Sequence, residues 1–209
     1  MNRAFFAAFV MCAVATFCQA QDSGARTSSL GGTEQRAFVS GGEIGFDLSA
    51  GDYDFVASSD NTIRISWRWD GNESPRRMWT PMVKAQIDTN GRSATVLTDR
   101  RDNHLHHTVE VPKSTNLTVR LSAGDIRIAG IDGNKDLQIH AGDVRIAVGD
   151  PQQYSQVDLS AKAGDLSATP FGGAKDGLFP SFHWTGKGTY QLRVHLDAGD
   201  VYLVTSNAI

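Results

Sequence analysis

The chain has 209 residues, with 20 Lys and Arg against 23 Asp and Glu, and only two cysteines. Both cysteines, Cys12 and Cys18, lie near the start, so the remainder offers no thiol nucleophile, disulfide framework or Cys-ligated zinc or iron–sulfur centre. The mildly acidic balance gives no support to nucleic-acid binding, and the length is enough to bury a core without covalent staples.

In chain order, Met1-Asn2-Arg3 supplies one positive charge and residues 4–17 are an almost unbroken apolar run. Cys18-Gln19-Ala20 then places small residues at the two positions a signal peptidase reads. This predicts a secretory signal peptide over residues 1–20, too short and wrongly flanked for a spanning helix. Neither Cys12 nor Cys18 follows the small residue that lipid attachment requires. The expectation is export, to the periplasm or the cell surface, with no transmembrane segment after cleavage. Residues 21–33 (QDSGARTSSLGGT) hold one large apolar side chain, Leu30, and predict a flexible leader.

Residues 34–209 carry a repeat. Ala-Gly-Asp occurs five times, beginning at Ala50, Ala123, Ala141, Ala163 and Ala198, at offsets of 73, 18, 22 and 35 residues. Alternating apolar segments surround the copies, as in FDLSAGDYDFV, VRLSAGDIRIAG and LQIHAGDVRIAVG. Two spacings near twenty fit a strand–turn–strand unit that stacks on the next. The alternation has period two: Leu117, Val119 and Leu121 against Thr118 and Arg120; Ile126 and Ile128 about Arg127; Val144 and Ile146 about Arg145; Ile63, Ile65, Trp67 and Trp69 about Arg64, Ser66 and Arg68. One face goes to a core and the Arg-rich face to water. No stretch keeps helical spacing. The expected fold is all-β, a β-solenoid or β-helix-like stack of short strands with Ala-Gly-Asp corners; a β-sandwich of similar hairpins is the alternative.

The corner itself has a physical reading. Gly51, Gly124, Gly142, Gly164 and Gly199 can take positive φ at little cost, while Asp52, Asp125, Asp143, Asp165 and Asp200 can bond their own downstream backbone in an Asx-turn. Ala is expected where a larger side chain would meet the neighbouring turn. Residues 34–101 hold one copy and are less regular; residues 103–204 hold four. One continuous domain with a capping half is expected, because exposed ends of a stack must be covered. A two-domain division near residues 98–103 is the competing reading. Residues 170–180 (PFGGAKDGLFP) predict a surface loop.

The segments Val111-Pro112-Lys113-Ser114, LTVRLSAGDIRIAGIDGNKDLQIHAGDVRI and FHWTGKGTYQLRVHLDAGDVYL resemble the bacterial putative-adhesin family of β-strand-repeat proteins, a domain of unknown function. The resemblance runs over about residues 41–203. It implies an exported, repeat-built β-fold of the cell surface or periplasm. The family carries no established reaction, so no catalytic residue and no cofactor is carried over.

Four constellations bear on chemistry. The aspartate row could bind calcium, but one acid per corner falls short of the six to eight oxygens calcium takes, and turn chemistry accounts for it. In His104-Leu105-His106-His107, His104 and His106 share a strand face, a spacing two zinc ligands can use; a solvated pair on an exposed strand is the plainer reading. His140, His183 and His195 fall at outward positions. Paired carboxylates on a β-helix could cleave polysaccharide, though each corner acid belongs to a turn signature. Among the aromatics, Trp67 and Trp69 keep core parity, whereas Arg76, Arg77 and Trp79 form a possible contact loop. These observations point to an exported, non-catalytic binding or structural module of the cell envelope, adhesin-like, whose partner is an envelope protein or glycan. An envelope polysaccharide-processing enzyme on a β-helix scaffold and a calcium-binding repeat module are the rivals.

Overall fold

The structure, a computed structural model, describes residues 31–69, 85–90, 92–98 and 105–206. The predicted signal segment, the expected contact loop of Arg76, Arg77 and Trp79, and His104 lie outside them. In chain order the strands are β1 (Gly31–Ala37), β2 (Glu43–Leu48), β3 (Asp52–Ser58), β4 (Thr62–Trp69), β5 (Ala85–Thr89) and β6 (Ser93–Thr98). Then come β7 (Leu105–Pro112), β8 (Asn116–Leu121), β9 (Ile126–Ala129), β10 (Lys135–Ala141), β11 (Val144–Val148) and β12 (Tyr154–Ala163). The last are β13 (Leu166–Ala168), β14 (Gly173–Lys175), β15 (Ser181–Thr185), β16 (Tyr190–Ala198) and β17 (Val201–Thr205). Two short 3-10 turns, Pro151–Gln153 and Thr169–Phe171, are the only helical elements among the described residues.

These strands make two mixed sheets, so the protein is all-β. One sheet runs β1-β4-β7-β3-β9-β11-β17-β13-β14, the other β15-β12-β16-β10-β8-β2-β6-β5. The period-two pattern explains why they face each other. Val119, Leu137, Val194 and Leu159 lie in register across four neighbouring strands of the second sheet, and all are buried. Ile128, Ile146 and Leu203 form the matching row of the first. Phe46 and Phe55 meet edge to face across the core at 4.9 Å. Burying a Leu, Ile or Val side chain contributes about 1.5–3 kcal/mol, and this inner layer supplies most of the stabilisation. Trp67 is buried on the parity of Ile63 and Ile65.

Each Ala-Gly-Asp corner carries the chain from the second sheet to the first: β2 to β3, β8 to β9, β10 to β11, β12 to β13 and β16 to β17. The five units pair in parallel, but not in chain order. In space they run β2/β3, β8/β9, β10/β11, β16/β17, β12/β13. At the near end β6/β7 lies outside β2/β3, so the earliest unit is also an inner one. A stack wound unit after unit, as the sequence suggests, is therefore not what forms. Alike corners let a returning chain segment dock between two earlier ones.

Both ends are covered by antiparallel strands. β4 pairs with β7, β5 with β6 and β1 with β4 at one end, and β14 with β13 and β15 with β12 at the other. The stretch expected as a plain loop over residues 170–180 contains β14 and a bridge from Leu178 to Ala163. Its glycines permit the tight turns, and pairing with β13 uses the backbone that a loop would leave to water.

Candidate functional site

The Ala-Gly-Asp corners are stacked against one another. Their glycines have φ of 151° (Gly51), 120° (Gly124), 131° (Gly142), 138° (Gly164) and 127° (Gly199). A Cβ on Gly142 would stand 2.0 Å from the carbonyl oxygen of Gly124, and one on Gly199 2.1 Å from that of Gly142. The close approach thus falls on glycine rather than on the preceding alanine, which is half-buried or exposed at every corner.

The aspartates also differ from the Asx-turn expectation. Asp125 donates its backbone N–H to Asp52 Oδ1 at 3.2 Å, Asp143 to Asp125 at 3.0 Å, Asp200 to Asp143 at 2.9 Å and Asp165 to Asp200 at 2.8 Å. The amide that follows each of these aspartates is itself committed along the stack: Tyr53 N–H donates to Asp125 O, Ile126 to Asp143 O, Val144 to Asp200 O and Val201 to Asp165 O. Beside this ladder, Tyr202 donates its hydroxyl to Asp200 Oδ2 at 2.8 Å, which raises the phenol pKa. At the opposite ends of the strands a second ladder runs through amides. Asn134 N–H donates to Asn116 Oδ1 at 2.8 Å, and Gln191 N–H to Asn134 Oδ1 at 2.9 Å.

Between the two ladders lies the outer face of the second sheet. Strand register puts Ser160, His195, Gln138, Arg120 and Asp47 in one row across β12, β16, β10, β8 and β2. Asp197 is the centre of the next row. Its Oδ1 accepts from Lys162 Nζ at 2.7 Å, its Oδ2 lies 2.7 Å from His140 Nδ1, and His195 Nε2 stands 3.5 Å from Oδ1. The hydrogen bonds from Lys162 first, and His140 second, hold this carboxyl below its usual range. A shallow groove of about 300 Å³ runs along these side chains, bounded by Asp47, Arg120, Gln138, His140, His195 and Asp197. The outward placement of His140 and His195 agrees with the sequence pattern. The rest of the set was missed, although the 18-residue offset that aligns Asp125 with Asp143 also aligns Arg120 with Gln138.

Ser160 Oγ lies 2.9 Å from His195 Nδ1, so hydroxyl, imidazole and Asp197 carboxylate are connected in line. Acyl transfer needs more: amide donors aimed at a developing oxyanion. Ser160 sits in mid-strand with β15 on one side and β16 on the other, where amides serve the ladders. The Asp197 oxygen nearest His195 also carries the Lys162 ammonium. The arrangement orders a polar surface, and the amides flanking Ser160 are committed to strand pairing and not turned toward its hydroxyl.

The histidine motif divides. His106 Nε2 is 2.9 Å from Asp54 Oδ2 on the outer face. His107 is only 1% exposed and stacks on Tyr53 at 4.3 Å, where burial pushes its imidazole down to about 4. His107 has the parity of Val109 and Val111, opposite to that of His104 and His106, to which the solvated-pair expectation applied. Lys135, also 1% exposed, donates Nζ to Gly133 O at 3.1 Å, and burial lowers its ammonium to about 8. Among the described residues no group of three or more His, Cys, Asp or Glu is disposed to hold a metal ion. No helix among them is long and apolar enough to cross a membrane.

No family model matches the chain, and no curated protein matches it. Solved structures do. A putative cell adhesion protein from Clostridium sporogenes is similar at 12% identity, covering 82% of this chain and 97% of the other, with a TM-score of 0.48. A putative adhesin from Parabacteroides distasonis is similar at 12% identity, covering 83% and 70%, with a TM-score of 0.25. A putative adhesin from Bacteroides fragilis is similar at 10% identity, covering 85% and 98%, with a TM-score of 0.27.

Proposed function

We propose that the chain is an exported, non-catalytic, adhesin-like module of the cell envelope, built as a solenoid-like stack, that holds a hydroxyl-rich or anionic envelope polymer on the outer face of its eight-stranded sheet. The carrying observation is the continuous row of Asp47, Arg120, Gln138 and His195 beside the Asp197 cluster. Donors and acceptors alternate there at strand spacing along a shallow groove, which suits a repeating polar chain. Export rests on the apolar leader of residues 1–20. A polysaccharide-cleaving role would need two free carboxylates facing each other across a groove. Against it, Asp52, Asp125, Asp143 and Asp200 each commit an oxygen to a neighbouring amide, and Asp197 is clamped by Lys162 and His140. The same commitment weighs against the calcium reading.

The test is retention of envelope polysaccharide fractions on the immobilised protein, with and without chelator. Retention independent of chelator and lost in Arg120→Glu, with an unchanged melt, is expected. Release of new reducing ends from any fraction would overturn the non-catalytic reading, and retention unaffected by Arg120→Glu would remove the site.

A further inference from the structure

A sheet edge leaves a row of backbone N–H and C=O groups without partners, which is where a β protein joins another chain. Among the described residues β15 ends the eight-stranded sheet and pairs on one side only, with β12. Gly186 donates to Ser155 O at 2.9 Å and Pro180 O accepts from Ala161 at 3.1 Å, so the even-numbered residues direct their backbone groups at β12. Those of Ser181, His183 and Thr185 therefore point away from the sheet.

The other outer strands are blunted. β1 carries Glu34 and Arg36, joined at 2.6 Å; β14 has three residues and ends in Lys175; β5 includes Asp88. β15 reads Ser181-Phe182-His183-Trp184-Thr185, with no Lys, Arg, Asp, Glu or Pro to keep a partner off. That order is self-complementary. An antiparallel copy centred on His183 sets Phe182 opposite Trp184 and Ser181 opposite Thr185. Aromatic then meets aromatic on the core side and hydroxyl meets hydroxyl on the water side, the cross-strand pairs that stabilise sheets. The two facing imidazoles do not stand as bare like charges, because each His183 is hydrogen-bonded to Asp158 of its own chain. Just before the strand, Leu178 and Phe179 are 77% and 75% exposed. Phe179 holds φ at 54°, the one positive φ outside glycine among the described residues. The same register carries this apolar pair toward residues 186–188 of the second copy.

We propose that the protein forms a two-fold dimer through antiparallel pairing of β15 with β15 of a second copy, joining two eight-stranded sheets into one. Directly opposed, hydrogen-bonded residues have Cα atoms about 5.5 Å apart, within disulfide range. In the full chain with Cys12→Ser and Cys18→Ser, His183→Cys is therefore expected to cross-link completely to itself under mild oxidation, and Ser181→Cys is not. Light scattering at about 100 µM should give twice the chain mass for the unaltered protein, as micromolar affinity requires. His183→Pro should give the single mass, since the proton it removes faces outward and not toward β12. Thr185→Lys serves the same purpose without altering the backbone. A single-chain mass for the unaltered protein, a dimer unchanged in both variants, or equal cross-linking of Ser181→Cys would each overturn the proposal.

Discussion

Asp200 donates its backbone N–H to the carboxylate of Asp143 at 2.9 Å, across 57 residues of chain. The bond has the same form as that between Asp143 and Asp125, which are 18 residues apart. The ladder depends on corner shape and is indifferent to sequence separation, which is what lets β16 and β17 enter the stack out of turn.

Gly142→Val tests the corner. The new side chain meets both an unfavourable φ and the Gly124 carbonyl 2.0 Å from its first atom. A loss of about 3 kcal/mol or more is expected, at the severe end for single substitutions. Arg145→Ser, which removes a guanidinium lying 5.5 Å over the Tyr202 ring, should cost no more than about 1 kcal/mol. Urea melts compare the two; equal midpoints would refute a structural corner.

Asp143→Asn keeps an oxygen for the Asp200 amide, whereas Asp143→Ala removes it. Asn should remain within about 0.5 kcal/mol of the native protein, and Ala should lose about 1–2 kcal/mol. Calcium should leave the melting temperature of all three unchanged. A bound ion at a hundredfold excess over its dissociation constant would add about 2.7 kcal/mol, a rise that thermal melts resolve.

His107 should make stability depend on pH. Its folded pKa of about 4 lies below the ordinary 6.5, so between these values the unfolded chain binds the additional proton. The stabilisation is complete above pH 6.5 and is lost as pH falls toward 4, by about 3 kcal/mol in all. Denaturant melts at pH 7.5 and 4.5 should show the loss, and His107→Phe, which can keep the stack on Tyr53, should lose less. Equal pH dependence in both proteins would place the proton elsewhere.

Lys135 gives the alkaline counterpart. Its ammonium is lowered to about 8 from 10.5, so stability should rise between pH 8 and 10.5 as the folded protein sheds the proton first. Lys135→Met should abolish that rise and be more stable at pH 7 by about 1–3 kcal/mol, as apolar replacement of a buried charge often is. Thermal melts from pH 7 to 10 check both. A destabilised variant would show that the bond to Gly133 O outweighs the burial.

Strand class and core face could be read from sequence because alternation is local: Ile63 and Ile65 predict the burial of Trp67, and Leu117, Val119 and Leu121 predict theirs. His107 is equally readable by parity with Val109 and Val111, but the zinc-ligand spacing draws attention to His104 and His106 on the opposite face. Lys135 was hidden because a cation at an inward position contradicts the pattern that locates it. The order of the units was beyond reach. The corners at Ala163 and Ala198 present the same shape, so no local residue says which of them docks against Ala141. The direction of the aspartate bonds depends in turn on that neighbour. The row of Arg120 and Gln138 follows from the same docking and could be seen only once the register was known.

The place of β16 and β17 decides what losing them would do. They follow every other described strand in sequence, yet β11 and β13 flank β17 on its two sides, and β10 and β12 flank β16. A chain stopped short of residue 190 would not lose a frayed outer layer. It would be left with a slot one strand wide through both sheets, lined by apolar side chains and unpaired backbone. Closing that slot completes both sheets, and among the described strands only β16 and β17 close it.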